Sequence, residues 1–150
     1  LTAREVEHKV TEWERDDLVT VVDRAAEERL SQGLQALVPG VPVLGEEAAS
    51  TTPALLDLLQ GDGPVWVVDP LDGTRNFAAG DDGFGVMVSW VVAGVVRASW
   101  VHLPRRGDTF VAVTGAGVRL NGTPVRVPKG TPARYRGMFS VRFLPDAVRE

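Results

Sequence analysis

Hydrophobic and polar positions along this chain change period several times, and each change predicts an element. In residues 1–14, Val6, Val10 and Trp13 recur at spacings of four and three, a single apolar stripe that predicts an amphipathic helix. Asp16-Asp17-Leu18-Val19-Thr20 breaks the stripe. A second helix is expected over residues 22–37, with Ala25, Ala26, Leu30, Leu34 and Leu37 on one side. Thr20 is its candidate N-cap and Asp23 stands at the third helical position, a variant of the capping box. Residues 38–42, Val-Pro-Gly-Val-Pro, end the helix, and Val43-Leu44 is a short strand running into Gly45-Glu46-Glu47. Residues 50–59 read as a short helix or ordered loop around Pro53, closed by a turn at 61–64.

The strongest apolar run follows. Val65-Trp66-Val67-Val68 has the β-branched and aromatic make-up of a buried strand. It is expected to stop at Asp69-Pro70, because proline cannot donate to a sheet ladder. In Asp72-Gly73-Thr74 the glycine permits a positive φ or a close backbone approach. A polar loop is expected over 78–83, then strands over 84–90, 91–100, 109–113 and 117–120, joined by turns into an antiparallel meander. Trp66, Trp90 and Trp100 are its expected packing residues. Gly115 and Gly117 fall inside a hairpin rather than between a strand and a helix, which rules out a dinucleotide fingerprint. Residues 138–143 and 145–149 are read as a further strand and helix.

Composition narrows the picture. The 150 residues are one domain's worth, large enough for a real core, and 44% are hydrophobic. A net charge of −4 argues against a nucleic-acid partner. With no cysteine, disulfides, zinc-thiolate sites and cysteine nucleophiles are excluded. The run from Val86 to Val96 is interrupted by Ser89 and Gly94, so no stretch has the length of a membrane span. No signal peptide is legible, and a cytoplasmic location is expected. The chain starts mid-element without methionine, so residues are expected upstream.

Candidate chemistry sits where strands and helices end. Asp23 alone is accounted for as a carboxylate favouring a helix N-terminus, and Gly45-Glu46-Glu47 alone as a solvated acidic turn. Taken with Asp69 and Asp72, they make an oxygen-only ligand set that points to magnesium rather than zinc. Adjacent carboxylates repel unless a cation offsets their charge. Only His8 and His102 could serve as imidazole bases, so metal-activated water is the more natural nucleophile. Arg105 and Arg106 read as solvated turn charges, and Arg126 and Lys129 as weak phosphate candidates.

D-P-L-D-G-T-R-N-F, preceded by V-W-V-V and by G-E-E, resembles the inositol monophosphatase family of magnesium-dependent, lithium-sensitive phosphatases. L-V-T-V-V-D resembles that family's V-T-x-x-D segment, and T-G-A-G-V-R-L-N-G-T-P-V-R-V its G-x-G-x-x-x-N-G hairpin. The resemblance implies two or three Mg2+ ions, with Glu46, Asp69, Asp72 and the Leu71 carbonyl as ligands. It implies that Thr74 holds the attacking water with Asp23 as proton acceptor, that the Gly73 and Thr74 amides hold the substrate phosphate, and that Glu47 supports them. It also implies an α/β fold, a layered α+β sandwich, with two helices on an antiparallel sheet of about six strands.

By that resemblance, residues 1–150 are the N-terminal metal-binding lobe, and the C-terminal lobe with its W-D-x-A segment has no counterpart in this chain. The implied reaction is hydrolysis of a small phosphate monoester, with inositol monophosphate first. Histidinol phosphate, fructose 1,6-bisphosphate and 3′-phosphoadenosine 5′-phosphate are the alternatives within that chemistry. A non-catalytic relative that binds metal or a partner is the alternative outside it. Relatives are often homodimers; no nucleic-acid or membrane partner is expected.

Overall fold

A computed structural model describes residues 6–10 and 16–126 of the chain. The segments read above as elements over 138–143 and 145–149, and Lys129 and Trp13, lie outside the described residues. The first departure from expectation comes at the start. Strand β1, Val6–Val10, pairs antiparallel with β2, Asp16–Thr20, from Val6 opposite Thr20 to Val10 opposite Asp16. A helix was expected there from the spacing of Val6 and Val10. Four residues apart is one face of a helix, but also one face of a strand, whose side chains alternate with period two. β-branched valine favours the strand.

Helix α1, Val21–Leu37, follows at the predicted place, with Asp23 in its first turn. Its buried residues are Asp23 and Glu27, one turn apart, rather than the apolar stripe. Leu30 and Leu34 are only half-buried, and Leu37 and Ala25 are exposed. Strand β3, Val43–Gly45, runs directly into helix α2, Glu46–Thr51, and a 3-10 helix, Pro53–Gln60, leads on to β4, Pro64–Asp72. Residues 46–63 are therefore a crossover, which a parallel pair requires.

One sheet of seven strands carries the fold, in the order β3-β4-β5-β6-β7-β8-β9. The remaining strands are β5 Gly85–Val92, β6 Val95–Leu103, β7 Asp108–Val113, β8 Gly117–Leu120 and β9 Thr123–Val125. From β4 onward the pairing is the expected antiparallel meander. β3 on β4 is parallel, which makes the sheet mixed. The expected turn at Asn121-Gly122 joins β8 to β9, with Asn121 at φ 47°.

The core lies where β3, β4 and β5 meet: Leu44, Val65, Trp66, Val68, Leu71 and Val91 are buried there. The tryptophans pack as expected. Trp66 lies opposite Trp90 in register, with ring centroids 4.4 Å apart and edge-on, and Trp100 adds a tilted contact at 5.9 Å. Thus the strand that carries Asp69 is clamped at its middle by aromatic packing, and its acidic end is left to project.

Candidate active site

Backbone register brings the first two acids together. In the parallel pair, Gly45 is the partner of Val68, so the next residues of the two segments, Glu46 and Asp69, stand side by side where that pairing ends. Open α/β sheets place ligands beyond the carboxyl ends of their parallel strands for the same reason.

β4 does not stop at Asp69-Pro70 as the proline suggested. It continues to Asp72 through an irregularity, because Asp69 pairs with Met87 and Asp72 with Gly85, leaving three steps on β4 against two on β5. Proline cannot join the ladder there, and the extra residue bulges out. The bulge turns Asp69 and Asp72 out of simple strand alternation and leaves the Leu71 carbonyl free of it. That carbonyl accepts the Thr74 hydroxyl at 3.1 Å, and Asp69 Oδ1 accepts the Leu71 amide at 3.2 Å.

Gly73 turns the chain at φ 89°, as expected of it. A Cβ at this position would lie 2.6 Å from the Gly83 carbonyl oxygen, so the turn requires glycine twice over. Beyond it, Thr74–Ala79 forms helix α3, covering part of what was read as a polar loop. The helix is held by Phe77 packed edge-on against Phe84 at 5.1 Å and by Asn76 Nδ2 donating to the Gly83 carbonyl at 2.6 Å.

Electrostatics binds the acids into one unit. Burial, and next the charge of Asp69, push the Glu46 carboxyl from 4.5 up to about 7; a hydrogen bond to Asp69 and the charges of Glu47 and Asp23 act in the same direction. Burial also raises Asp69, with Asp72 and Asp23 adding to it, while the hydrogen bond from Glu46 and the Leu71 amide pull the other way. Glu46 and Asp69 therefore lie within hydrogen-bond reach of each other, and Asp23 and Asp72 stand close enough for their fields to be felt. Asp23 itself is buried, at 4% exposure.

Sequence and structure thus agree in gathering Asp23, Glu46, Asp69 and Asp72, with Leu71, Gly73 and Thr74 in the adjoining turn. Glu47 leans toward α1, its Oε2 lying 4.0 Å from Arg24 Nε. His102 is engaged by Thr109, whose hydroxyl meets its Nδ1 at 2.9 Å. Arg105 and Arg106 are exposed turn charges as expected, and they pair on the surface with Asp82 at 2.9 Å and Asp108 at 3.4 Å. Glu27 was not singled out from the sequence, yet it is buried beside the site and bonds two amides of α2. Its one legible signal was its place one turn after Asp23.

Among the described residues, no three His, Cys, Asp or Glu side chains close into a ready-made metal cage. The donor chemistry nevertheless fits a hard divalent cation. The group is carboxylate and carbonyl oxygen, and burial first, with the charges of neighbouring carboxylates second, raises the proton affinity of Glu46 and Asp69.

The helix-faced mixed sheet is a fold already seen in solved structures. An IMPase from Thermotoga maritima superposes with a TM-score of 0.68 at 27% identity, over 85% of this chain and 46% of that one. Staphylococcal inositol monophosphatase-1 shares the fold with a TM-score of 0.68 at 23% identity, over 86% of this chain and 47% of the other. In sequence, a histidinol-phosphatase of Chlorobaculum parvum is 38% identical over 114 residues, 75% of this chain and 41% of the relative. Nus factor SuhB of Pseudomonas aeruginosa is 36% identical over 122 residues, 79% of this chain and 42% of the relative. Inositol monophosphatase 1 of Solanum lycopersicum is 33% identical over 111 residues, 74% and 40% of the two chains. The model of the inositol monophosphatase family matches residues 2–142, and the chain belongs to that family. It spans 40–42% of the length of these curated relatives.

Proposed function

We propose that this chain supplies the metal-binding lobe, residues 1–150, of a phosphatase that hydrolyses a small phosphate monoester, inositol monophosphate first, with magnesium as cofactor. The observation that carries the reading is the apposition of Glu46 and Asp69 at the ends of parallel β3 and β4, with Asp23 and Asp72 beside them. Glu46, Asp69, Asp72 and the Leu71 carbonyl are the proposed ligands of two or three Mg2+ ions. When bound, such ions polarise a phosphoryl oxygen and make a water nucleophilic near neutral pH.

The chain's own groups do the rest. Glu46 and Asp69 would hold the metal as carboxylates. Thr74 orients the attacking water through its hydroxyl oxygen, which can accept a hydrogen bond from the water while the hydroxyl donates to the Leu71 carbonyl at 3.1 Å. Asp23, buried on α1, accepts the proton that the water releases. The Gly73 and Thr74 amides, at the start of α3, hold the phosphate. Phosphoryl transfer asks mainly for positioning and charge neutralisation, and both are what this group offers.

Phosphate release from inositol 1-phosphate, histidinol phosphate, fructose 1,6-bisphosphate and 3′-phosphoadenosine 5′-phosphate, with and without Mg2+, tests the reading and ranks the substrates. Asp69→Asn is expected to abolish release while leaving the far-UV spectrum intact; an active variant removes Asp69 from the mechanism. Relatives named Nus factor SuhB favour a second reading, a member of the family that serves as a binding partner without turnover. Metal binding with no turnover of any of the four esters would decide for it. No helix among the described residues is long and apolar enough to cross a membrane. The proposal carries with it a cytoplasmic protein and a homodimer, the latter read by sedimentation.

A further inference from the structure

Helix α2 begins at Glu46, yet its N-cap residue is Gly45, which has no side chain to satisfy the orphan amides of the first turn. The missing acceptor comes from another helix. Glu27 on α1 accepts the Glu47 amide at 2.8 Å through Oε2 and the Ala48 amide at 3.0 Å through Oε1. Both carboxylate oxygens of Glu27, a residue only 9% exposed, are thereby used on α2. The fit is close enough that a Cβ on Gly45 would collide with the Glu27 carboxyl group.

We propose that Glu27 is a positioning residue for Glu46, capping α2 from outside and so fixing where the Glu46 carboxylate meets Asp69. The proposal rests on the reading of Glu46 and Asp69 as metal ligands. Its physical basis is leverage: Glu46 is the first residue of α2, and the two amides that Glu27 holds are those of the next two residues. Charge-assisted bonds to backbone amides are short and directional, and buried they leave the turn little freedom. Glu27 lies one turn from Asp23 on the same face of α1, so a single helix face sets both the proposed proton acceptor and the orientation of a proposed ligand. Gly45 belongs to the same device, since it leaves the space that the carboxylate occupies.

The test uses the full chain and Mn2+ as probe, titrated by electron paramagnetic resonance. Glu27→Gln keeps the shape but turns one acceptor into a donor that faces an N–H. Gly45→Ala keeps every carboxylate but displaces Glu27. Each is expected to weaken Mn2+ binding about tenfold, the usual scale for groups that orient a metal ligand. Val91→Ala, a core truncation at the opposite end of β5 from Gly85, supplies a loss of stability that should leave Mn2+ affinity unchanged. Wild-type affinity in the Glu27 and Gly45 variants overturns the proposal, as does a loss matched by Val91→Ala. Glu46→Gln separates the two readings. Wild-type affinity there faults Glu46 as a ligand and the positioning role with it, whereas lost affinity there beside intact binding in the Glu27 variant faults the positioning role alone. Should the variants not fold, hydrogen exchange on the wild-type chain decides: protected Glu47 and Ala48 amides support the cap, and freely exchanging ones overturn it.

Discussion

Glu46 shows how a single side chain links proton, metal and stability. Burial first and Asp69 second raise its carboxyl from 4.5 to about 7, and Asp69 is raised from 3.8 in the same direction. Between those limits the folded chain holds more protons than the unfolded one. Stability is therefore fully present below about 4.5 and falls as pH rises through about 7. The metal-free chain is expected to melt at progressively lower temperature across that window, opposite to the behaviour of ordinary salt-bridged carboxylates. The proposed Mg2+ would compete with the same proton, so its stabilising effect should grow as pH rises. Melting curves by circular dichroism at stepped pH, with and without Mg2+, check both trends, and a metal-free melting temperature that climbs with pH contradicts them. None of this was legible residue by residue. Asp23 alone read as a helix-terminus charge and Glu46 alone as a solvated turn; only taken together with Asp69 and Asp72 did they suggest a ligand set, and the family resemblance gave them roles. Glu27 stayed out of view because an acid on a helix is ordinarily a surface residue.

Among the elements, the turn from β4 into α3 is the most constrained. Gly73 stands at φ 89°, and a Cβ would meet the Gly83 carbonyl at 2.6 Å. Gly73→Ala is thus expected to cost about 1–3 kcal/mol, the scale of a strained backbone position held in place by its surroundings, read as a lowered urea midpoint. An unchanged midpoint would mean that the loop over 78–83 yields easily. Element type was legible where the pattern had one period only. Val65-Trp66-Val67-Val68 admits a strand and little else, and the meander after it announced its own turns. β1 was misread because a spacing of four suits both periods. α3 was missed because its six residues follow a turn signal and are too few to show helical periodicity. The bulge in β4 was half-legible: Pro70 warned of an interrupted ladder but not that the strand resumes beyond it.

Over the whole molecule, the sheet divides into two kinds of connection. β5 to β9 are joined by turns of a few residues, whereas β3 reaches β4 only across residues 46–63. The hairpins close cheaply and early, while the parallel pairing must first close a long loop. That pairing is also the one that sets Glu46 beside Asp69. The proposed site is therefore expected to form late in folding, after the rate-limiting step. Contacts made after that step slow unfolding without speeding folding. Stopped-flow tryptophan fluorescence, with Trp66 at the core as reporter, is expected to show Mg2+ lowering the unfolding rate and leaving the refolding rate unchanged. Faster refolding in Mg2+ would place the acid pair in the folding nucleus instead. On this view the crossover sets a lifetime as well as a geometry: a chain holding its ions would resist degradation in proportion to how seldom β3 lets go of β4.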